Sequence, residues 1–148
     1  MPSTFSPPSS LSFVDVRAYI NTLAKQISDS SFRPDYLVGL ARGGWIPTRL
    51  LSDALGVKEI LSLGLRYADA TRTALVAYSL PDPMPRGKKL LLIEDCLESG
   101  KSLVEAKRIL ESAGNEVKTA CLFTTAATQT QPDFFLSQLA EPPRFPWE

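Results

Sequence analysis

The chain has 148 residues, 44% of them hydrophobic, and its sixteen basic residues balance its sixteen acidic ones. Such a chain has no global positive field to attract nucleic acid or an anionic membrane, so we expect neither as a partner. No apolar run approaches the ~20 residues of a membrane span. Histidine is missing from the sequence, which excludes Ser-His triads, Cys-His dyads and the usual zinc clusters.

The two cysteines, Cys96 and Cys121, are too few for a disulfide framework. They are typical of a reducing compartment, so a cytoplasmic protein is expected. The length predicts a single domain over residues 1–148. Residues 1–10 lack the basic start and the apolar stretch of a secretory signal, and we expect them to form a loose N-terminal arm.

The first predicted element is a helix, because six apolar residues fall on one helical stripe. They are Phe13, Val16, Ile20, Leu23, Ala24 and Ile27. A strand over 36–40, a helix over 46–55 ended by Gly56 and a strand over 57–66 are predicted next. A loop over 67–72 and strands over 73–79 and 89–93 follow. The last predicted elements are a helix that carries Leu103, Ala106, Leu110 and Ala113 and ends at Gly114, a strand over 117–123 and a short helix over 133–139.

The strands at 36–40 and 89–93 are apolar throughout, which is typical of strands buried on both faces. Together with the alternation of strands and helices, this predicts an α/β fold with a central, mostly parallel sheet flanked by helices. Ligands of such sheets bind at the carboxyl ends of the strands.

The segment Glu94-Asp95-Cys96-Leu97-Glu98-Ser99-Gly100-Lys101-Ser102 follows the strand at 89–93 and precedes a helix. Its Gly-Lys-Ser end is similar to a Walker loop, but that loop needs a glycine where Asp95 stands. Two carboxylates would also oppose a triphosphate, since one like-charge contact near 4 Å costs roughly 4 kcal/mol at an effective dielectric of about 20. The later strand at 117–123 carries no acid for Mg²⁺. The pattern therefore disfavours a Walker kinase.

A single monophosphate suits the same segment better. Backbone N–H groups at 99–102, the helix dipole and the hydroxyls of Ser99 and Ser102 would surround it. Carboxylates accept hydrogen bonds from vicinal hydroxyls, and Glu94 and Asp95 lie about one sugar away along the chain. The pattern thus favours a ribose 5-phosphate.

The segment resembles the phosphoribosyl-pyrophosphate (PRPP) signature of type I phosphoribosyltransferases. Ala41-Arg42-Gly43-Gly44 resembles their pyrophosphate loop, and Tyr67 to Arg72 lies where they keep a mobile lid. Phe145-Pro146-Trp147-Glu148 is similar to the end of small 6-oxopurine members of the xanthine-guanine or hypoxanthine kind. The resemblance covers residues 36–148 in the right order.

The resemblance implies that the protein transfers ribose 5-phosphate from PRPP to a nucleobase, with a purine expected, and that it uses Mg²⁺. It implies that Glu94 and Asp95 hold the ribose hydroxyls, directly or through the metal. The 5′-phosphate would bind at Ser99, Gly100, Lys101 and Ser102. Pyrophosphate would bind at Arg42 and the N–H groups of Gly43 and Gly44.

The family likeness also places Glu98 where an acid handles the proton of the base. It predicts that Tyr67 and Arg72 close over the site, although Arg72 is equally well explained as a surface residue. A cis peptide at Ala41–Arg42, a small C-terminal hood and a homo-oligomer, dimer or tetramer, are expected on the same grounds.

The base pocket departs from the purine pattern. Thr124-Thr125 occupies a region where purine members carry a lysine, so Thr125 is the candidate there, and a neutral hydroxyl is expected to weaken 6-oxopurine binding about tenfold. Trp147 is explained equally by stacking on the base and by plugging an apolar gap. The alternative function is a non-catalytic PRPP or nucleotide sensor with the same fold.

Overall fold

The computed structural model of the protein describes residues 5–148. Its helices are α1 (Phe13–Asp29), α2 (Trp45–Leu55) and α3 (Lys101–Ser112). Its strands are β1 (Tyr36–Ala41), β2 (Ile60–Tyr67), β3 (Leu75–Ser79), β4 (Lys89–Ile93), β5 (Cys96–Leu97), β6 (Glu116–Ala120), β7 (Phe123–Thr125) and β8 (Ser137–Leu139).

The central sheet has five strands in the order β3-β2-β1-β4-β6. Neighbouring strands are parallel, except that β3 runs antiparallel to β2 at the edge. The two strands that are apolar throughout, β1 and β4, lie side by side near the middle. The predicted α/β fold with a mostly parallel sheet is therefore confirmed.

Helices cover both faces of this sheet, and side-chain alternation along the strands assigns each residue to a face. On β4, Leu91 and Ile93 pack into the cluster that contains the buried stripe of α1 and Leu51 of α2. Leu90 and Leu92 pack into the cluster of α3 on the opposite face. The helical stripe predicted at the N-terminus is thus one wall of the core.

Capping residues visible in the sequence set the ends of the helices. Ser12 and Asp15 form a capping box at the start of α1, with each side chain accepting a hydrogen bond from the other residue's backbone N–H. Gly56 ends α2 in the left-handed region with φ of 69°, and Gly114 follows α3 with φ of 86°. Both predicted glycine stops are confirmed.

A second, three-stranded sheet has the order β5-β7-β8, and we call this sheet, with the C-terminal segment that follows β8, the hood. The predicted strand over 117–123 is divided between the two sheets, because β6 ends at Ala120 and β7 begins at Phe123. Strand β8 replaces the short helix predicted over 133–139, so that prediction is wrong. Its backbone finds partners in the preceding strand segment instead, since the N–H of Leu136 donates to the carbonyl of Leu122 at 3.0 Å.

The N-terminal segment packs against the hood at its described end. The ring of Phe5 meets that of Tyr19 edge-on at 4.7 Å. The N–H of Arg144 donates to the carbonyl of Ser9 at 2.8 Å, and the N–H of Leu11 donates back to Arg144 at 2.9 Å. The expected loose arm is therefore held over residues 5–10, and residues 1–4 lie outside the described part. Among the described helices, none is long and apolar enough to cross a membrane.

Candidate active site

The site forms where β1 and β4 end. These strands are parallel neighbours, with Gly39 opposite Ile93, so the segments that follow them meet at one edge of the sheet. The first segment is Ala41-Arg42-Gly43-Gly44, and the second begins with Glu94 and Asp95. The Ala41–Arg42 peptide is cis, as the family resemblance implies.

The two glycines of the first segment permit close contact with the second. A Cβ on Gly43 would lie 2.6 Å from Oδ2 of Asp95, and a Cβ on Gly44 would lie 2.2 Å from the carbonyl oxygen of Ile93. The Gly44 N–H, expected to bind pyrophosphate, instead donates to the carbonyl of Leu40 at 2.9 Å. The turn into α2 uses this donor, and the pyrophosphate role of the Gly44 N–H stays a prediction.

The two carboxylates are partly buried and hydrogen-bonded. Oδ1 of Asp95 accepts the backbone N–H of Cys96 at 2.6 Å, and Oδ2 accepts the indole N–H of Trp147 at 3.2 Å. Oε1 of Glu94 accepts the N–H of Asp95 at 3.1 Å. Asp95 is therefore held at both oxygens before any ligand arrives, and Glu94 is held at one.

Burial raises the pKa of Glu94 well above its usual value, and the neighbouring Asp95 charge adds to the shift. Burial also raises the pKa of Asp95, while the N–H groups of Cys96 and Trp147 draw that pKa back down. Shifts of this kind mark functional carboxylates more often than solvated strand ends.

A cavity of about 490 Å³ opens beside Asp95. It is lined by Arg42, Gly43, Trp45, Ile46, Asp95, Trp147 and Glu148. The pyrophosphate-loop candidates and the C-terminal Trp-Glu pair thus share one space. Sequence reasoning missed Trp45 and Ile46, although their place in the first turn after the two glycines is a usable signal.

The predicted phosphate loop lies at the start of α3. The N-cap Gly100 has φ of 81° and supplies no side-chain cap, so the first-turn N–H groups other than that of Lys101 keep their capacity to bind an anion. The hydroxyl of Ser99 accepts the N–H of Lys101 at 3.3 Å. A Cβ on Gly100 would lie 2.8 Å from Thr130 and 2.9 Å from Thr128, so the 128–130 segment backs the loop.

The lid candidates lie beside this loop. Tyr67 is the last residue of β2, and the guanidinium of Arg72 lies over its ring at 4.7 Å. A second cavity, of about 370 Å³, is lined by Tyr67 and Lys101 among others. Arg72 is exposed and contacts Tyr67, so its lid role and its surface role both stay predictions.

Two predicted residues lie apart from the Asp95 cavity. The side chain of Glu98 is exposed on the turn after β5, and it does not line that cavity. Thr125 is buried in β7, and within residues 5–148 its hydroxyl has no hydrogen-bond partner. Neither residue makes a contact that defines its role.

The Cys96 thiol is not poised as a nucleophile. Burial, with the negative charges of Asp95, Glu98 and Glu94, raises the pKa of Cys96 to about 12. Since the thiolate is the reactive form, this cysteine is inert near neutral pH. Across the described chain, no group of three or more His, Cys, Asp or Glu side chains could hold a metal alone.

Comparison with known proteins agrees with this fold. The phosphoribosyl transferase domain model matches residues 14–148, and the chain therefore belongs to that family. A solved purine phosphoribosyltransferase from Pyrococcus horikoshii Ot3 superimposes with a TM-score of 0.85 at 27% identity, covering 94% of this chain and 92% of that one. The fold is that of the type I members.

Two further relatives extend the comparison. A Helicobacter pylori xanthine-guanine-hypoxanthine phosphoribosyltransferase superimposes with a TM-score of 0.81 over 94% of this chain and 92% of its own, at 24% identity, a likeness of fold alone. The orotate phosphoribosyltransferase of Listeria innocua is 30% identical over 117 residues, which are 77% of this chain and 53% of that protein. The chain thus spans about half the length of the curated relatives that it matches.

Proposed function

We propose that the protein transfers ribose 5-phosphate from PRPP to a nucleobase and releases pyrophosphate. The observation that carries the proposal is the meeting of Asp95 with Gly43 at the carboxyl ends of β4 and β1. A carboxylate that accepts ribose hydroxyls there lies directly against a loop with a cation, Arg42. The uncapped start of α3 lies further along the same chain segment and suits the 5′-phosphate.

In the proposed reaction a nitrogen lone pair of the base attacks the anomeric carbon. The bond from that carbon to the pyrophosphate oxygen breaks, and its electron pair leaves on pyrophosphate through a transition state like an oxocarbenium ion. Arg42 and the Gly43 N–H bind the departing anion, and Glu94 and Asp95 hold the ribose hydroxyls. Glu98 accepts the proton that the base nitrogen loses, once the exposed turn closes on the substrate.

The donor set fits Mg²⁺, which proteins bind with one or two carboxylates plus substrate phosphates rather than with a complete protein cage. Glu94 and Asp95 supply carboxylate oxygens at one edge of the sheet. When bound, the ion would orient the PRPP oxygens and offset the charge of the leaving group. Tyr67 and Arg72 would close over the phosphates and exclude water.

The proposed acceptor is a purine, in keeping with the purine enzyme of Pyrococcus horikoshii, although the Listeria innocua relative is an orotate enzyme. The test is release of pyrophosphate from PRPP with hypoxanthine, guanine, xanthine, adenine, orotate and uracil, each with and without Mg²⁺. The Gly43→Ala variant, purified in the same way, controls for a contaminating host enzyme. We expect turnover with a purine and its loss without the metal.

Turnover with orotate alone would contradict the purine assignment. Tight PRPP binding without turnover on any base would favour a nucleotide sensor over an enzyme. The partners proposed with the enzyme are PRPP, a nucleobase and further copies of this chain in a cytoplasmic dimer or tetramer.

Thr125→Val tests the proposed base pocket. The isosteric change removes a buried hydroxyl without a partner, so we expect the free energy of unfolding to rise by about 1 kcal/mol. If the hydroxyl faces the base, the KM for the base rises about fivefold while PRPP affinity stays the same. Steady-state kinetics and urea unfolding measure the two effects.

Ser137→Ala is the matched control, because Ser137 is the other buried hydroxyl without a partner in the described hood strands. It is expected to leave the KM for the base unchanged. A Thr125→Val enzyme with parental kinetics would remove Thr125 from the base pocket.

A further inference from the structure

The indole of Trp147 donates its N–H to Oδ2 of Asp95 at 3.2 Å, across 52 residues of sequence. Neither stacking on a base nor plugging an apolar gap would use this N–H. The contact joins the C-terminal segment to the carboxylate that is proposed to hold the ribose. The hydrogen bond to Asp95 therefore indicates a role for the indole that neither its size nor its apolar face explains.

Both carboxylate oxygens of Asp95 face the pyrophosphate loop, and each accepts one hydrogen bond. The backbone N–H of Cys96 holds Oδ1 at 2.6 Å and the indole N–H holds Oδ2, and a Cβ on Gly43 would lie 2.8 Å from Oδ1 and 2.6 Å from Oδ2. A single hydrogen bond from the next residue in the chain leaves the carboxylate plane free to turn. A second donor from a distant segment, acting on the other oxygen, removes that freedom.

Trp147 is itself held in place without a ligand. Its ring stacks on Phe145 with 4.8 Å between centroids and 10° between planes, and Phe145 is only 2% exposed. Oε2 of Glu148 accepts the backbone N–H of Phe145 at 3.1 Å. The adjoining Arg144 is paired with the N-terminal segment through two backbone hydrogen bonds. The donor therefore sits on a rigid support.

We propose that Trp147 is a positioning residue for Asp95, whose indole N–H holds the carboxylate in the orientation that binds the ribose end of PRPP. This inference rests on the proposed function. Preorganised ligands matter because a binding group displaced by even a small distance loses much of its effect. The C-terminal segment thereby completes the sugar site as well as lining the cavity.

Trp147→Phe tests the proposal, because phenylalanine keeps an aromatic ring against Phe145 and removes the N–H. We expect the dissociation constant for PRPP with Mg²⁺, measured by calorimetry, to rise about tenfold, the scale of one lost hydrogen bond to a charged group. The KM for the base is expected to stay within about twofold, because the ring face is kept. Trp147→Leu, a second variant without a hydrogen-bond donor at that place, is expected to lose PRPP affinity to the same degree.

Phe13→Leu is the matched control, since it removes the other ring near the indole, at 6.4 Å between centroids, and leaves both the N–H and the Phe145 stack in place. It is expected to keep PRPP affinity near that of the parent. Parental PRPP affinity in both Trp147 variants, or an equal loss in Phe13→Leu, would overturn the proposal. A parent that binds no PRPP would instead overturn the proposed function, and this inference with it.

Discussion

Gly44→Ala is expected to abolish the stable fold, whereas Gly43→Ala is expected to fold and to lose activity. A Cβ on Gly44 would lie 2.2 Å from the carbonyl oxygen of Ile93 and 2.8 Å from the backbone N and O of Leu40. All three atoms belong to the central strands, which cannot retreat without breaking the sheet. We expect a loss of more than about 4 kcal/mol in the free energy of unfolding, the range of severe core disruption.

The Cβ of Gly43→Ala meets a side chain instead. It would lie 2.6 Å from Oδ2 and 2.8 Å from Cγ of Asp95, and the carboxylate can give way by breaking its hydrogen bonds to Cys96 and Trp147. The fold survives that movement, but the ribose ligand no longer faces the loop. Displacing a reacting or binding group by about 1 Å is enough to cost 10²-fold, so we expect kcat/KM to fall by about that factor.

Urea unfolding and steady-state kinetics with PRPP separate the two effects. Gly56→Ala is the control, because nothing lies within 4 Å of its Cβ and its left-handed backbone, with φ of 69°, adds only about 1 kcal/mol of strain. It should keep parental kinetics. Parental stability in Gly44→Ala, or parental kcat/KM in Gly43→Ala, would show that the strand ends are looser than these contacts require.

The elements that the sequence pattern predicts correctly are a helix that buries one face and strands that are buried on both faces. Helix α1 buries a single stripe, which its periodicity identifies, and β1 and β4 are buried on both faces, which their continuous apolar runs indicate. The cis peptide at Ala41–Arg42 was expected from family likeness and is present. In α1, β1 and β4 local preference and tertiary structure agree, whereas the cis peptide was expected from the family likeness alone.

The hood could not be predicted in the same way. The run over 133–139 has a helix-like composition, but its backbone pairs with the strand segment that precedes it, and Phe134 forms a bridge with Ala120. The break between β6 and β7 likewise depends on Asp95, whose carbonyl accepts the N–H of Leu122 at 3.0 Å. Both features arise from non-local pairing, which overrides intrinsic propensity.

The candidate site could also be predicted only in part. The spacing of the acids and glycines predicted which loops meet, since parallel strands bring their carboxyl ends together. It could not predict that Trp147 reaches Asp95, because the two residues are joined only through the folded C-terminal segment. The exposure of Glu98 was equally hidden from the sequence, and its role stays a prediction.

Asp95→Asn and Glu98→Gln should separate binding from proton transfer. Asp95 is partly buried against the pyrophosphate loop, so its charge acts on the sugar in the ground state and in the transition state alike. Asp95→Asn is therefore expected to weaken PRPP binding and to slow turnover. Glu98→Gln keeps the side-chain shape and removes the proton acceptor, so kcat should fall by about 10²-fold or more with PRPP affinity nearly unchanged.

The measurements are PRPP affinity by calorimetry and the single-turnover rate with the preferred base for both variants. Glu141→Gln, an exposed glutamate of the hood, is the matched control and should behave as the parent. The loss of kcat in Glu98→Gln requires a base that binds with its proton, so this loss should become smaller when the pH exceeds the pKa of the free base. An equal loss of PRPP affinity in Asp95→Asn and Glu98→Gln would make Glu98 a sugar ligand. In that case water or the base itself would have to manage the proton, and the exposed position of Glu98 would mark a turn that closes on the ribose.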